Sequence, residues 1–352
     1  MLTWCVGCSR RRWRRSKLRR ELTAVERVTI ERQPPLVPCC RVVGKDDRWR
    51  RVTDTCGALI PYKPQAPCPE CHGFQARPNA PVPNQDSRIL TRDTAIIDAE
   101  TGKVVVVYVV CATGLATRLA DSLRDVEFDT DVYFNATTTT RLSGMAVTHR
   151  TFGYQPPQPM RRRYGCSRSQ FNAEHPKAVE VLTEFCRVAE HVFRTYASDV
   201  HDVTARKVRD TIPPAWLIAG TPWSSGIINQ TCALPYHKDT GNIPSSWSAM
   251  LGCRRMVEGG LLHLADYGVY LPIDHGSITI FDGQSVTHGV TPLTVQRSSG
   301  WRYTVVTYAK SGMRHCCPDP ADEPARAARA LTEAEDRRLA GYRPTRGKRK
   351  RG

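Results

Sequence analysis

The sequence lacks any hydrophobic run long enough to cross a membrane. The apolar stretch Val104–Cys111 suits a buried strand, and it falls well short of the roughly 20 residues that a membrane helix needs. An apolar leader is also missing near the N-terminus, where arginines stand instead. We therefore expect an intracellular monomer with no membrane partner, located in the nucleus if the source is a eukaryote and in the host cytoplasm if it is a phage.

Acidic residues are scarce relative to basic ones. The chain has 34 Asp and Glu against 51 Lys and Arg, which gives a net charge of +17. Residues 10–20 contain eight Arg or Lys and no acid, and the tail Arg343–Arg351 is similarly basic. This excess of positive charge favours an anionic partner, and nucleic acid is the first candidate. The alternative is a basic enzyme whose arginines contact only solvent.

Cysteine, in contrast, is abundant: the chain has 14, and half of them precede residue 72. Without a secretory leader, metal-binding or core thiols are expected rather than a disulfide framework. The knuckle Cys68-Pro69-Glu70-Cys71 predicts a structural zinc site, and its alternative is a loop with free thiols. The expected zinc ligands are Cys56, Cys68 and Cys71, with Cys39 or Cys40 as the fourth. The cysteines expected in the core are Cys111, Cys166, Cys186, Cys232 and Cys253.

The most informative motif is His237-Lys238-Asp239, which is followed much later by His288. Residues i and i+2 of an extended strand point to the same side, so His237 and Asp239 can reach one metal together. A distant second histidine completes the two-histidine, one-carboxylate triad of non-haem Fe(II) oxygenases, which leaves coordination positions open for a cosubstrate. A lone His-x-Asp is more often a surface turn, so the surrounding sequence has to support the assignment.

The surroundings of this motif predict several short strands separated by glycine-rich turns. The segments Gly259–Leu264, Gly276–Gly283 and Trp301–Tyr308 have the β-branched and alternating patterns of sheet strands. Such a series in one short stretch predicts a jelly-roll barrel. Arg302 then offers an always-charged fork for the distal carboxylate of 2-oxoglutarate.

The predicted fold is α+β: a double-stranded β-helix, which is a jelly-roll or cupin-like barrel, with flanking helices and an N-terminal Cys-rich module. We expect a basic, disordered arm at residues 1–38, the Cys-rich module and a linker at 39–86, the main domain at 87–318, and a charged helix with a basic tail at 319–352. The barrel is expected at about 215–313. Apolar residues at helical spacing predict a helix at Ala178–Ser198 that packs on the outside of the barrel.

With these residues in place, the stretch Thr211–Lys310 resembles the TET/JBP family of nucleic-acid-modifying dioxygenases. The resemblance rests on His237–Asn242, Phe281-Asp282-Gly283, Thr287–Val290 and Arg302–Tyr308. The compact barrel lacks the long insertion of the animal enzymes and is more similar to small phage, algal or protist members. The resemblance implies Fe(II) bound by His237, Asp239 and His288, and 2-oxoglutarate bound by Arg302 and Thr304.

The same resemblance implies a place for a nucleobase. Asn242 stands where the family has a base-contacting asparagine, and Tyr308 stands where it has an aromatic residue that stacks on the flipped base. Two residues further on, the animal enzymes carry a histidine; this chain has Lys310. The implied reaction is hydroxylation of the 5-methyl group of 5-methylcytosine or thymine in DNA, with the base rotated out of the duplex.

Three other functions share parts of this pattern. An AlkB-like demethylase would carry a second arginine where Tyr308 stands. A prolyl or lysyl hydroxylase of proteins would usually have lysine at the position of Arg302, and would leave the basic charge unexplained. A non-enzymatic, zinc-dependent nucleic-acid-binding module is disfavoured because every metal and cosubstrate position is intact.

Overall fold

The computed structural model describes residues 25–43, 51–61, 79–132 and 146–339. The strands are β1 (Glu26–Ile30), β2 (Leu36–Val43), β3 (Arg51–Pro61), β4 (Arg88–Ile89), β5 (Thr94–Asp98), β6 (Val104–Val110), β7 (Asp129–Val132), β8 (Ala146–Gln155), β9 (Ser167–Arg168), β10 (Ser225–Gln230), β11 (Ser248–Arg255), β12 (Val257–Gly259), β13 (Leu262–Leu264), β14 (Val269–Leu271), β15 (Ser277–Phe281), β16 (His288–Val290), β17 (Leu293–Val295) and β18 (Trp301–Tyr308). The α-helices are α1 (Thr113–Leu123), α2 (Gln170–Glu174), α3 (Pro176–Tyr196), α4 (Ser198–Thr211) and α5 (Glu323–Leu339). Short 3-10 turns lie at Pro159–Arg161, Pro214–Trp216, Ile218–Gly220, Ser311–His315 and Pro320–Asp322.

Two facing sheets form the centre of the molecule. The larger has the order β1-β5-β6-β15-β11-β18-β10-β8-β7, with β9 attached to β8, and the smaller has the order β16-β13-β14-β4. An isolated bridge between His237 and His288 adds the segment after β10 to the edge of the smaller sheet. From β10 onwards the chain passes back and forth between the sheets, which is the jelly-roll arrangement. The predicted double-stranded β-helix is confirmed.

The larger sheet is covered on its outer face by helices. Apolar residues of α3 at helical spacing, including Leu182, Phe185 and Phe193, are fully buried in one cluster with Leu251 and Ile280 of the sheet. The predicted amphipathic helix is therefore confirmed, as is its position outside the barrel. A second cluster fills one end of the space between the sheets, and it includes Tyr108, Leu264 and Phe281. These two layers hold the barrel strands in fixed register.

The N-terminal strand departs from the expected disordered arm. Glu26–Ile30 pairs in parallel with β5, and Ile30 packs into the cluster between the sheets. Arg32, just beyond the strand, contacts the buried carboxylate of Asp266 at 2.9 Å. The sequence did not predict this strand, because the segment is short and follows a strongly basic stretch. Its alternating apolar residues are buried only when β5 pairs with it in the folded sheet. Residues 1–24 lie outside the described part of the chain.

The predicted zinc module falls largely outside the described residues. Its strands β2 and β3 form an antiparallel pair that contains Cys39, Cys40 and Cys56. The side chains of these three residues, and the whole of Cys68 and Cys71, are outside the described part. The zinc site therefore stays a prediction.

One cysteine expected in the core also forms a disulfide. Cys166 is buried, as expected; it lies just before β9 and is bonded to Cys316, which follows the 3-10 turn after β18, and their Cα atoms are 5.6 Å apart. The sequence did not predict this bond, because folding brings together two residues that are 150 positions apart. The other predicted core residues Cys186, Cys232 and Cys253 are buried, whereas Cys111 is only partly so.

The C-terminal helix was also expected, and Glu323–Leu339 forms it. Its first residue, Glu323, is buried and accepts hydrogen bonds from the backbone nitrogens of Cys166 (2.6 Å) and Cys317 (2.9 Å). These bonds and the Arg326 guanidinium hold the pKa of Glu323 at about 2, against the opposing effect of burial. Across the described ranges, none of the helices is both long and apolar enough to cross a membrane.

Candidate active site

The three side chains of the predicted triad converge at one point. The Nε2 atoms of His237 and His288 lie 3.8 and 3.9 Å from Oδ1 of Asp239, and one ligand atom of each residue lies within 4.8 Å of the others. The backbones of the two histidines exchange hydrogen bonds of 2.8 and 3.0 Å. Residues far apart in sequence are therefore held on adjacent strand segments, as the spacing predicted. Their role as ligands stays a prediction.

Hydrogen bonds fix which nitrogen of each imidazole faces the centre. Nδ1 of His237 lies 2.8 Å from the carbonyl of Pro235, and Nδ1 of His288 lies 2.9 Å from that of Val286. A carbonyl can only accept, so each Nδ1 carries the proton and each Nε2 presents a lone pair. Two imidazole nitrogens and one carboxylate oxygen are the donor set that non-haem Fe(II) sites use. The residues present thus fit an iron ion.

A buried tyrosine, Tyr236, packs next to the two histidines of the triad. Tyr236 packs against the backbone of Gly289, where an added Cβ would come within 2.9 Å of its ring. Its hydroxyl forms a hydrogen bond of 2.5 Å with Nδ1 of the buried His263. Burial lowers the pKa of His263 to about 4, so this imidazole is neutral at physiological pH. The contacts hold the segments of His237 and His288 together.

Arg302 is a buried cation without an anionic partner among the described residues. Its side chain is 1% exposed, and its two terminal nitrogens donate to the carbonyls of Cys232 (3.0 Å) and Gly260 (3.2 Å). Its Nε is buried and has no hydrogen-bond partner in the part of the chain that the structure describes. Burial, followed by the charge of Arg254, lowers the pKa of Arg302 to about 10, so it remains charged at neutral pH. A carboxylate ligand would satisfy both the charge and the orphaned nitrogen.

Two polar residues of the larger sheet line the same cavity as Arg302. Thr304 on β18 and Asn229 on β10 are directly opposite each other, and both are among the lining residues. The side-chain oxygen of Asn229 is buried and lacks a partner in the described structure. Sequence reasoning predicted Thr304 and missed Asn229. The only sequence signal for Asn229 is a polar residue directly after Ile227 and Ile228, and its pairing with Thr304 becomes visible only in the sheet.

The cavity that joins these groups has a volume of about 190 Å³, far more than one water molecule requires. The residues of the predicted triad, Arg302 and Thr304 line it. The predicted base-contacting residues Asn242, Tyr308 and Lys310 line it as well. All the site residues predicted from the barrel sequence therefore surround one space.

Asn242 is fixed at the boundary between the triad and the rest of the cavity. Its Nδ2 lies 3.5 Å from Oδ2 of Asp239 and 3.5 Å from the hydroxyl of Ser248. The backbone of Asn242 pairs with that of Lys310, and its carbonyl accepts from Gln284 at 2.8 Å. A ligand that reaches the metal from the Tyr308 side would pass this amide.

Comparison with known proteins agrees with this geometry. Residues 156–311 match the Tet_JBP family model, the oxygenase domain of the 2OGFeDO superfamily. The bifunctional helicase and thymine dioxygenase JBP2 of Trypanosoma brucei brucei (strain 927/4 GUTat10.1) is 24% identical over 161 residues, which are 45% of this chain and 14% of that protein. The chain thus corresponds to only a small part of this curated relative.

Two solved structures are also similar. NgTET1 in complex with 5mC DNA is 15% identical with a TM-score of 0.46, over 66% of this chain and 83% of that one. A 2OG-Fe(II) oxygenase family protein from Burkholderia pseudomallei is 12% identical with a TM-score of 0.36, over 60% of this chain and 86% of that one. The family match spans the triad and Arg302, which the fold assembles in one cavity. Residues 156–311 therefore belong to the Tet/JBP family of Fe(II)- and 2-oxoglutarate-dependent oxygenase domains.

Proposed function

We propose that this chain is an Fe(II)- and 2-oxoglutarate-dependent dioxygenase that hydroxylates the 5-methyl group of a pyrimidine, 5-methylcytosine or thymine, in DNA. The observation that carries the proposal is one cavity that a two-histidine, one-carboxylate triad lines together with two other groups. The first is a buried arginine that has no anionic partner among the described residues, and the second is a set of residues suited to a flat, polar ring. The relative JBP2 is named as a thymine dioxygenase, and NgTET1 was solved with 5mC DNA.

One group of residues would bind the iron and 2-oxoglutarate, and another would bind the base. Bound iron with 2-oxoglutarate and dioxygen supplies the oxidising power for the attack on an unactivated methyl group. His237, Asp239 and His288 would hold that iron, and Arg302 with Thr304 would orient the distal carboxylate of 2-oxoglutarate. Tyr308 would stack on the base, and Asn242 would hydrogen-bond to its edge. Together these contacts would present the methyl carbon to the metal.

The depth of the site requires the base to leave the duplex. His288 and Asn242 are buried, with exposed fractions of 7% each, so a stacked base cannot bring its methyl group to the triad. A net charge of +17 suits the phosphates that must be held while the base is rotated out. A DNA substrate also supports the expectation of an intracellular location, in the nucleus of a eukaryote or in the host cytoplasm for a phage protein.

Mass spectrometry of nucleosides tests the proposal. Methylated duplexes and duplexes with thymine as the only 5-methylated base are incubated with the protein, Fe(II), 2-oxoglutarate and ascorbate, then digested. We expect 5-hydroxymethyl nucleosides that depend on 2-oxoglutarate and disappear with His237→Ala. Succinate formation without any oxidised base, together with hydroxylation of a peptide, would instead favour a protein hydroxylase. Loss of an N-methyl group from a base would favour an AlkB-like demethylase.

A further inference from the structure

Lys310 brings a positive charge to the wall of the cavity. It lies two residues beyond the end of β18 and lines the cavity together with Tyr308 and Asn242. Its backbone nitrogen donates a hydrogen bond of 3.1 Å to the Ser224 hydroxyl, and its backbone pairs with that of Asn242. The ammonium nitrogen lies 6.0 Å from the centroid of the Tyr308 ring. A base stacked on that ring at about 3.5 Å would therefore be within reach of the ammonium group.

The hydrogen-bonding groups around Lys310 leave donors in excess. Its ammonium contacts Oε1 of Gln155 at 3.4 Å, and no carboxylate of the described residues lies within ion-pair distance of it. The other end of the same amide, Nε2 of Gln155, is buried and has no partner there either. An ammonium group can only donate, so the group that completes this site must be an acceptor.

The environment makes an unpaired ammonium costly. Burial lowers the pKa of Lys310, and the positive charge of Arg163 lowers it further. A ligand oxygen that accepts from Lys310 would offset this penalty. A ligand N–H directed at the same point would leave two donors facing each other, and both would lose the hydrogen bonds that water gives them.

The two candidate bases differ at the position next to the methyl group. Thymine carries an acceptor oxygen on C4, whereas 5-methylcytosine carries an amino group that donates. C4 is bonded to C5, so a methyl group directed at the triad places the C4 substituent beside it. The neighbouring Asn242 does not discriminate, because its amide offers a donor on one side and an acceptor on the other.

We propose that Lys310, supported by Gln155, hydrogen-bonds the C4 oxygen of the flipped base and makes thymine the preferred substrate over 5-methylcytosine. This inference rests on the proposed function and narrows it. A hydrogen bond to a charged donor corresponds to a preference of about 10- to 100-fold. The alternative acceptor for Lys310 is a phosphate oxygen of the flipped nucleotide. A contact with phosphate would affect the oxidation of thymine and of 5-methylcytosine equally.

The test compares three duplexes that differ at one base: thymine, 5-methylcytosine, and 5-methylpyrimidin-2-one, which has no C4 substituent. The measured quantity is kcat/KM for oxidation of that base. Wild-type protein is expected to favour thymine about 10- to 100-fold over the other two. Lys310→Met should bring the three values close together, and Lys310→Gln, whose amide can donate or accept, should narrow the gap between thymine and 5-methylcytosine.

Lys177→Met, which removes an exposed lysine in the first turn of α3, is the matched control and should keep the wild-type preference. Normal 2-oxoglutarate binding and an unchanged melting temperature show that the Lys310 variants fold. An equal loss for all three bases with Lys310→Met would assign the lysine to a phosphate and overturn the inference. A wild-type preference for 5-methylcytosine would overturn it too, while leaving the proposed function intact. A wild type that oxidises none of the three bases would remove the proposed function itself.

Discussion

Gly283 lies directly against the carboxylate of Asp239: an added Cβ would overlap Oδ2 and come within 2.9 Å of Cγ. The carbonyl of Gly283 also accepts a 2.7 Å hydrogen bond from the backbone nitrogen of Asp239. The turn between β15 and β16 therefore defines where the carboxylate of the triad can lie. Glycine at this position is required for the observed geometry, because any side chain would displace the carboxylate of Asp239.

Gly283→Ala should therefore weaken Fe(II) binding while leaving the barrel folded. We expect at least about a 10-fold loss of Fe(II) affinity, since small displacements of a ligand or its support typically cost 10- to 100-fold. Titration of the apoprotein with Fe(II) under anaerobic conditions measures it. Gly114→Ala is the matched control, because Gly114 lies in α1 with open space around it. Equal iron affinity in both variants would contradict this reading of Gly283.

Replacing any member of the triad should abolish turnover. His237→Ala, Asp239→Ala and His288→Ala each remove one of three ligands, so we expect no succinate above background and a circular dichroism spectrum like that of the wild type. Removal of iron with a chelator should have the same effect, reversed by added Fe(II). His315→Ala changes an exposed histidine and serves as control. Normal succinate formation by His237→Ala would exclude this metal site.

Arg302→Ala should mainly affect the binding of 2-oxoglutarate. Losing one side of a buried charge-assisted pair costs roughly 2–5 kcal/mol, which is about 30- to 4000-fold in Kd. Anaerobic titration of the Fe(II)-loaded protein with 2-oxoglutarate measures the change. The control is Arg297→Ala, because Arg297 is exposed in the loop before β18. If Arg297→Ala lost affinity and Arg302→Ala did not, the two assignments would have to be exchanged.

Tyr308→Ala should separate base oxidation from cosubstrate turnover. Stacking of a base on an aromatic ring contributes about 1–3 kcal/mol, so DNA oxidation should fall by roughly 5- to 150-fold. Decarboxylation of 2-oxoglutarate without DNA should change much less, because Tyr308 is not assigned to the cosubstrate. Tyr308→Phe keeps the ring and should retain most DNA oxidation. An equal fall in both reactions would indicate a structural tyrosine.

The predicted zinc site is decided by metal analysis. Purified protein, treated to remove iron, should retain one Zn(II) per chain, and that zinc should be lost when Cys68 and Cys71 are both changed to Ser. Removing a structural zinc should also lower the melting temperature. Cys111→Ser, which changes a cysteine outside the predicted set, is the control. If the protein contains no zinc and all five thiols react with a thiol reagent, the zinc prediction is wrong.

The sequence by itself determined which residues share a face within a single strand or helix. His237 and Asp239 are two residues apart on an extended segment, so their shared direction follows from local backbone geometry. The same rule placed Arg302, Thr304 and Tyr308 on one face of β18, and the period of helix α3 identified its buried side. Each of these inferences needed only neighbours within one element.

Only the tertiary structure decided the relationships between distant elements. The disulfide between Cys166 and Cys316, the packing of Gly283 against Asp239, and the pairing of Asn229 with Thr304 all join segments that no local periodicity connects. The pairing of β1 with β5 likewise became visible only when a complementary edge was present. The same holds for the charges of the cavity. The sequence shows that Arg302 and Lys310 are cationic, but only the structure shows that both are buried against the cavity and lack anionic partners among the described residues. A ligand that pairs with these charges would therefore be stabilised there.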